Sequence, residues 1–248
     1  MLTGLVSVTF RELKPLDIVR LTKESGLDGI EWGGDIHCPP DNAQAASEIS
    51  ALMAQNELTS ISYGSYYQVG SFGRFDHILN TAVKLGAKNI RVWAGDTASI
   101  EAGADIWKSV TEDSQRIADM ALSFGITISY EYHNDTLADS LDSVLLLINK
   151  VNRGNIYTYW QPPINSDVED NLKSIQELVK MSKLKNLHIF TLDGSTRLPL
   201  NADIWIRYAR AASPCEPALL LEFVKGDSIQ QLLDDAKALT RLNKMLSL

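Results

Sequence analysis

Cysteine is nearly absent from this chain of 248 residues: Cys38 and Cys215 are the whole supply. Two thiols build neither a disulfide framework nor a four-ligand structural zinc site. Free thiols in a reducing cytoplasm are the expectation. Histidine is almost as scarce, at four residues. Clustered positive charge is missing too. Lys+Arg total 23 against 31 Asp+Glu, for a formal net charge of −8, and no Lys/Arg run occurs. Nucleic acid is therefore excluded as the main partner, because that binding rests on cations neutralising phosphates. Long apolar runs are absent. VLLLIN at 144–149 is among the longest, far short of the roughly 20 residues that span a bilayer. The opening segment, MLTGLVSVTFRELK, has no charged n-region or long apolar core, so no signal peptide is expected. Glycine (15) and proline (8) are too few for a collagenous or disordered chain. What remains is a soluble, cytoplasmic globular protein, 45% hydrophobic and 22% charged, whose partner is a small molecule. A homo-oligomer is compatible with this composition.

What is present is a recurring unit. β-type runs begin near Leu5, Asp28, Leu58, Asn89, Ile126, Asn155, Asn186 and Ala218. Each is followed by a helical pattern, and the period is near 30 residues, the size of a strand–helix unit. Helical patterns cover 75–86 and 112–125, ending at Gly86 and Gly125, and 228–246, starting at Asp227 or Ser228. Eight alternating units predict an α/β fold with a closed parallel sheet, a (β/α)8 barrel, as one domain over residues 1–248.

Strand parity sorts the side chains further. Alternate residues of a barrel strand face the lumen or the helix layer. Ile126, Ile128 and Tyr130 suit the helix layer; Thr127, Ser129, Glu131 and His133 share the other parity. The same reading pairs Arg91 with Trp93, His188 with Phe190, Leu220 with Glu222 and Val224, and Tyr157 and Tyr159 with Gln161, and it sets Glu31 opposite Ile30 and Trp32. The polar lumen set is then Glu31, Arg91, Glu131, His133, Gln161, His188 and Glu222. Most lie late in their strands, where barrel enzymes place their chemistry. A buried carboxylate must be paired, hydrogen-bonded or metal-bound. For Glu131 two explanations stand: an ion pair with Arg91 on the preceding strand, or a working site. His188 reads equally as a hydrogen-bonded core residue. His37, in the loop after the second run, is within reach of the mouth.

Four short segments resemble the xylose isomerase-like TIM-barrel superfamily, in the same order along the chain. They are GLDGIEWGGDIHCP at 26–39, ISYEYHND at 128–135, LHIFTLDG at 187–194 followed by LPL at 198–200, and LLLEF at 219–223. The resemblance implies a divalent metal bound in the mouth by Glu, Asp, His and Glu from the last four strands. Glu131 and Glu222 match the first and last ligands. Gln161, in YWQPPI at 159–164, stands near the usual Asp. His188 matches the first histidine of a His-x-His pair and Phe190 the second. The implied metal set is thus Glu131, Gln161, His188 and Glu222, with Mn²⁺ or Mg²⁺ favoured and Co²⁺ or Zn²⁺ as alternatives. The implied reaction is isomerisation or epimerisation of a small sugar or sugar phosphate. Glu131 and Glu222 would move a proton beside the carbonyl through an enediolate. Substrate contacts fall to His133, Arg197, Trp93, Glu31 and His37, with Arg91 or Arg197 on a phosphate. A related dehydratase and a non-catalytic sugar- or polyol-binding barrel with a degenerate metal site are the alternatives. An apurinic endonuclease needs a histidine-rich zinc site that four histidines and a charge of −8 do not supply.

Overall fold

The computed structural model describes residues 1–163 and 166–246. Ile164, at the end of the YWQPPI segment, lies outside them. Eight parallel strands close a barrel in the order β1-β10-β7-β6-β5-β4-β3-β2. They are β1 (Thr3–Val6), β2 (Gly29–Gly33), β3 (Thr59–Gln68), β4 (Asn89–Trp93), β5 (Thr127–Tyr130), β6 (Ile156–Trp160), β7 (Leu184–Ile189) and β10 (Ala218–Leu221). A two-stranded antiparallel hairpin, β8 (Thr191–Asp193) and β9 (Thr196–Leu198), rises directly from the end of β7. Around the barrel run α1 (Pro15–Glu24), α2 (Ala43–Gln55), α3 (Phe75–Leu85), α4 (Ala104–Leu122), α5 (Leu141–Val151), α6 (Val168–Lys180), α7 (Ala202–Ala212) and α8 (Ile229–Leu246).

The period-two pattern explains the two cores. Ile30, Trp32, Ile90, Val92, Ile128, Tyr130, Leu187, Ile189, Leu219 and Leu221 face outward and join the helices in one large cluster. Val6, Val8, Ile61, Tyr159, Ala218 and Leu220 form a second, smaller cluster inside the barrel. Beside this cluster the lumen is polar. The Tyr159 hydroxyl accepts from Asn89 Nδ2 at 3.0 Å and Asn186 Nδ2 at 2.7 Å. Ser129 donates to Asn89 Oδ1 at 2.6 Å, so this layer is cross-linked from β4 through β7.

Most predicted ends hold. Gly86 caps α3 in the left-handed region at φ 73. Ser228 accepts from the Gln231 amide at the start of α8. One helix differs: α4 begins at Ala104, eight residues before the predicted start, and ends at Leu122. Its first two turns, ADIWKSV, bury little besides Val110, so the apolar stripe there is too thin to read. Around Arg197 the chain forms the hairpin; Gly194, at φ 56, turns it between short strands.

Candidate active site

The C-terminal ends of β2, β4, β5, β7 and β10 bring charged side chains to one place. Glu31 is fully buried. Its Oε1 accepts from Arg91 Nε at 2.8 Å and its Oε2 from the Tyr159 hydroxyl at 2.6 Å. The other edge of the guanidinium reaches β5, where Arg91 Nη1 donates to Glu131 Oε2. Trp93 Nε1 donates to the same oxygen at 2.6 Å. Arg91 therefore bridges two carboxylates on separate strands while only 2% exposed.

Local backbone makes room for this bridge. At Gly64 on β3, an added Cβ would lie 2.6 Å from Arg91 Nη2 and 3.2 Å from Glu31 Oε1. The pairing of β3 with β4 then shifts between Gly64 and Gln68. Within that irregular stretch Tyr66 takes φ 56, a strained conformation for a bulky residue. The turn aims the Tyr66 ring at Arg91, 5.0 Å from the guanidinium carbon, and at Trp93, 5.8 Å between centroids.

Electrostatics follow from burial and pairing. Burial opposes ionisation of Glu31, but the Arg91 charge, the nearby His188 ring and the hydrogen bond from Tyr159 outweigh it and hold the carboxyl down at about 2. Burial likewise opposes the charge on Arg91, yet Glu31, Tyr66 and Glu222 raise it above its ordinary value. Burial and the Glu31 charge push the Tyr159 phenol well above the usual range, which keeps it a donor.

His188 lies between Glu31 and Glu222. Its Nδ1 is 3.0 Å from Gln161 Oε1, and its ring meets Tyr159 edge-on at 5.0 Å. Nε2 sits 3.4 Å from Glu31 Oε1, too poorly aligned for a hydrogen bond. Glu222 Oε2 lies 3.3 Å from His188 Nδ1, but that nitrogen is directed to Gln161. His188 Nε2 and Glu222 Oε2 are thus buried polar atoms with no hydrogen-bond partner among the described residues.

The residues singled out from sequence separate into two groups. Glu31, Glu131, Gln161, His188, Glu222 and Trp93 gather at the mouth, and His133 joins the rim by stacking on Trp93 at 4.8 Å. His37 does not join them. Its ring nitrogens lie 3.0 Å from Ser7 Oγ and 3.2 Å from the Leu13 carbonyl, so the ring staples two loops and is only 5% exposed. Arg197 stands on the hairpin, paired with Asp227 and 4.9 Å over the Phe223 ring. Arg91, bound on both edges, has no face left for a phosphate. Sequence reasoning misses Tyr159 and Gly64 as site residues. Tyr159 carries the right parity, but its hydroxyl partners come from four other strands. Gly64 has no side chain to read.

The implied divalent ion can be tested against these atoms. The first expected ligand, Glu131, has its Oε2 taken by Arg91 and Trp93. The second, Gln161, brings no charge and is directed at His188. Phe190, where the resemblance expects a second histidine, cannot ligate. Among the described residues no group of three or more His, Cys, Asp or Glu is arranged to hold a metal ion. The residues present do not fit a four-ligand divalent site.

Comparison with known proteins agrees with the architecture. No curated protein matches the sequence. Among solved structures, the probable 3-DHS dehydratase AsbF from Bacillus anthracis is similar, with a TM-score of 0.79 and 19% identity over 97% of this chain and 99% of that one. A D-psicose 3-epimerase crystallised in the presence of D-fructose gives a TM-score of 0.73 and 16% identity over 99% of both chains. The 3-keto-D-glucoside 4-epimerase YcjR from E. coli gives 0.73 and 17%, over 98% of this chain and 99% of that one. Identities this low establish shared fold alone. Among the described residues no helix is long and apolar enough to cross a membrane. The family model for the xylose isomerase-like TIM barrel matches residues 19–189, and the chain belongs to that family.

Proposed function

We propose that the mouth of this barrel binds a small sugar or sugar phosphate and removes the proton beside its carbonyl, as an isomerase or epimerase does. The observation that carries the reading is Glu222 Oε2, a buried carboxylate oxygen at the strand-end mouth with no hydrogen-bond partner among the described residues. Such an oxygen is costly to bury and is satisfied by a donor, or a proton, that arrives with the substrate. Glu222 is the base in this reading. Glu131, whose hydrogen bonds all fall on Oε2, presents Oε1 as the second carboxylate. His188 Nε2 and the Trp93 and His133 rings orient the sugar. The similar structures named above are a probable dehydratase and two sugar epimerases by name, which supports a sugar-sized substrate for this mouth.

The test is incubation in heavy water with a panel of ketoses, aldoses and their phosphates, with and without Mn²⁺. Deuterium is expected at the carbon beside the carbonyl. Glu222→Gln should slow its entry roughly 10²-fold or more, the scale of a lost general base. One observation favours a second reading, a barrel that binds without chemistry: Glu131 is already neutralised by Arg91. Binding across the panel with no exchange selects that reading.

A further inference from the structure

We infer that the guanidinium of Arg91 is the resident cation of this mouth and takes the charge-balancing place of a divalent ion, so that the barrel works without one. Three independent features converge on it. The guanidinium makes directional bonds to two carboxylates of different strands, Glu31 on β2 and Glu131 just past β5. Glu131 is the carboxylate that a metal in this family's place would need first, and its Oε2 is occupied. The pocket for the guanidinium is built rather than incidental: Gly64 leaves the volume a Cβ would fill, and strained Tyr66 sets its ring 5.0 Å from the guanidinium carbon. The third feature is the set of expected ligands that have changed together. Gln161 is neutral, and Phe190 packs its ring against Phe223 at 5.7 Å. An anionic ligand set without a cation would be repulsive; the loss of ligand charge fits a cation of +1 in place of +2.

In this arrangement the positive charge near a developing enolate oxygen is fixed and permanent. It acts through the field of the buried guanidinium rather than by direct contact, because the N–H groups of Arg91 and Trp93 are already given to Glu31 and Glu131, and it needs no ion to be loaded. Only that last step rests on the proposed mouth as the working site; the identity of the cation stands apart from any turnover.

The experiment is therefore a binding measurement. Wild-type protein treated with EDTA is titrated with Mn²⁺ and with Mg²⁺ by calorimetry, and its melting temperature is followed in parallel. No stoichiometric binding and no shift in melting temperature are expected up to about 1 mM ion, a scale corresponding to weak non-site association. Arg91→Ala leaves Glu31 and Glu131 facing each other without a cation. Its melting temperature should fall by at least about 2–4 °C and should be partly restored by Mn²⁺, which wild type ignores. Arg91→Lys, which keeps one charge, should melt between the two and show no Mn²⁺ response. Stoichiometric, EDTA-sensitive Mn²⁺ binding by wild type overturns the inference, and so does an Arg91→Ala protein as stable as wild type without any ion. Should Arg91→Ala not fold, the wild-type titration and Arg91→Lys decide. The heavy-water experiment reports separately on the reaction: exchange that persists in EDTA supports both readings, while absent exchange with absent Mn²⁺ binding removes only the proposed chemistry.

Discussion

A carboxyl held at about 2 beside a buried guanidinium has a consequence for stability against pH. Glu31 in the unfolded chain titrates near its ordinary value of about 4.3. Its folded value is lower, so its contribution is fully present above about pH 4.5 and is lost as pH falls towards about 2. Denaturant titrations between pH 6 and pH 2.5 should show a steep acid limb, and Glu31→Gln should flatten it while lowering stability at neutral pH. His37 acts at a higher pH with the same sign. Burial lowers it from its ordinary value, so protonation opposes the fold as pH drops below about 6.5. The parity of Glu31, Glu131, His188 and Glu222 is legible in the sequence, because a strand's period of two needs only the local residues. The pairing of Glu131 with Arg91 is legible only as one of two alternatives, and the onward bridge to Glu31 is not legible. Arg91 lies 60 residues from Glu31 and 40 from Glu131, and which of them it meets depends on strand register and on the space above Gly64. His37 escapes local reading for the same reason: its two partners sit in a loop 24 to 30 residues earlier.

Two glycines mark different demands on secondary elements. Gly86 ends α3 at φ 73, and an added Cβ there would meet nothing within 4 Å, so Gly86→Ala should cost about 1 kcal/mol from backbone strain alone. Gly64 has an ordinary φ and no such strain. Gly64→Ala meets Arg91 and Glu31 instead and should cost about 1–3 kcal/mol by overpacking. It should also disturb substrate binding, which Gly86→Ala should leave alone. Chemical denaturation paired with sugar binding by calorimetry separates the two effects. Helix ends are readable where a cap residue carries the signal, as at Gly86 and Ser228. The early start of α4 is not, because its first turns rest on the barrel rim through few apolar residues. The hairpin β8–β9 leaves no pattern to read, because three-residue strands are shorter than any usable alternation.

Across the whole molecule the period near 30 residues carries the fold: eight strand–helix units of this size close into one barrel, with helices outside and side chains filling the lumen. The lumen holds an apolar cluster, a layer of Asn, Ser and Tyr, and a charged group of Glu31, Arg91 and Glu131. Leu221 belongs to the helix layer and Leu220 to the cluster inside the barrel. Leu221→Ala should cost about 2–5 kcal/mol, as large-to-small core changes do, and leave the mouth's ligand affinity unchanged. Leu220→Ala should cost a similar amount and loosen the mouth, since Leu220 is in register with His188. Urea titration gives the first quantity for each variant, and sugar affinity the second.

The hairpin's tether to the loop after β10 is an ion pair between Arg197 and Asp227, whose side chains are 36% and 59% exposed. Water and dissolved ions reach it freely, whereas they are shut out from Glu31 and Arg91 below. At an ionic strength of 1 M the Debye length shrinks to about 3 Å, and the upper contact loosens while the buried one keeps its hold. Salt concentration is therefore a dial that turns the rim of this barrel without touching its floor.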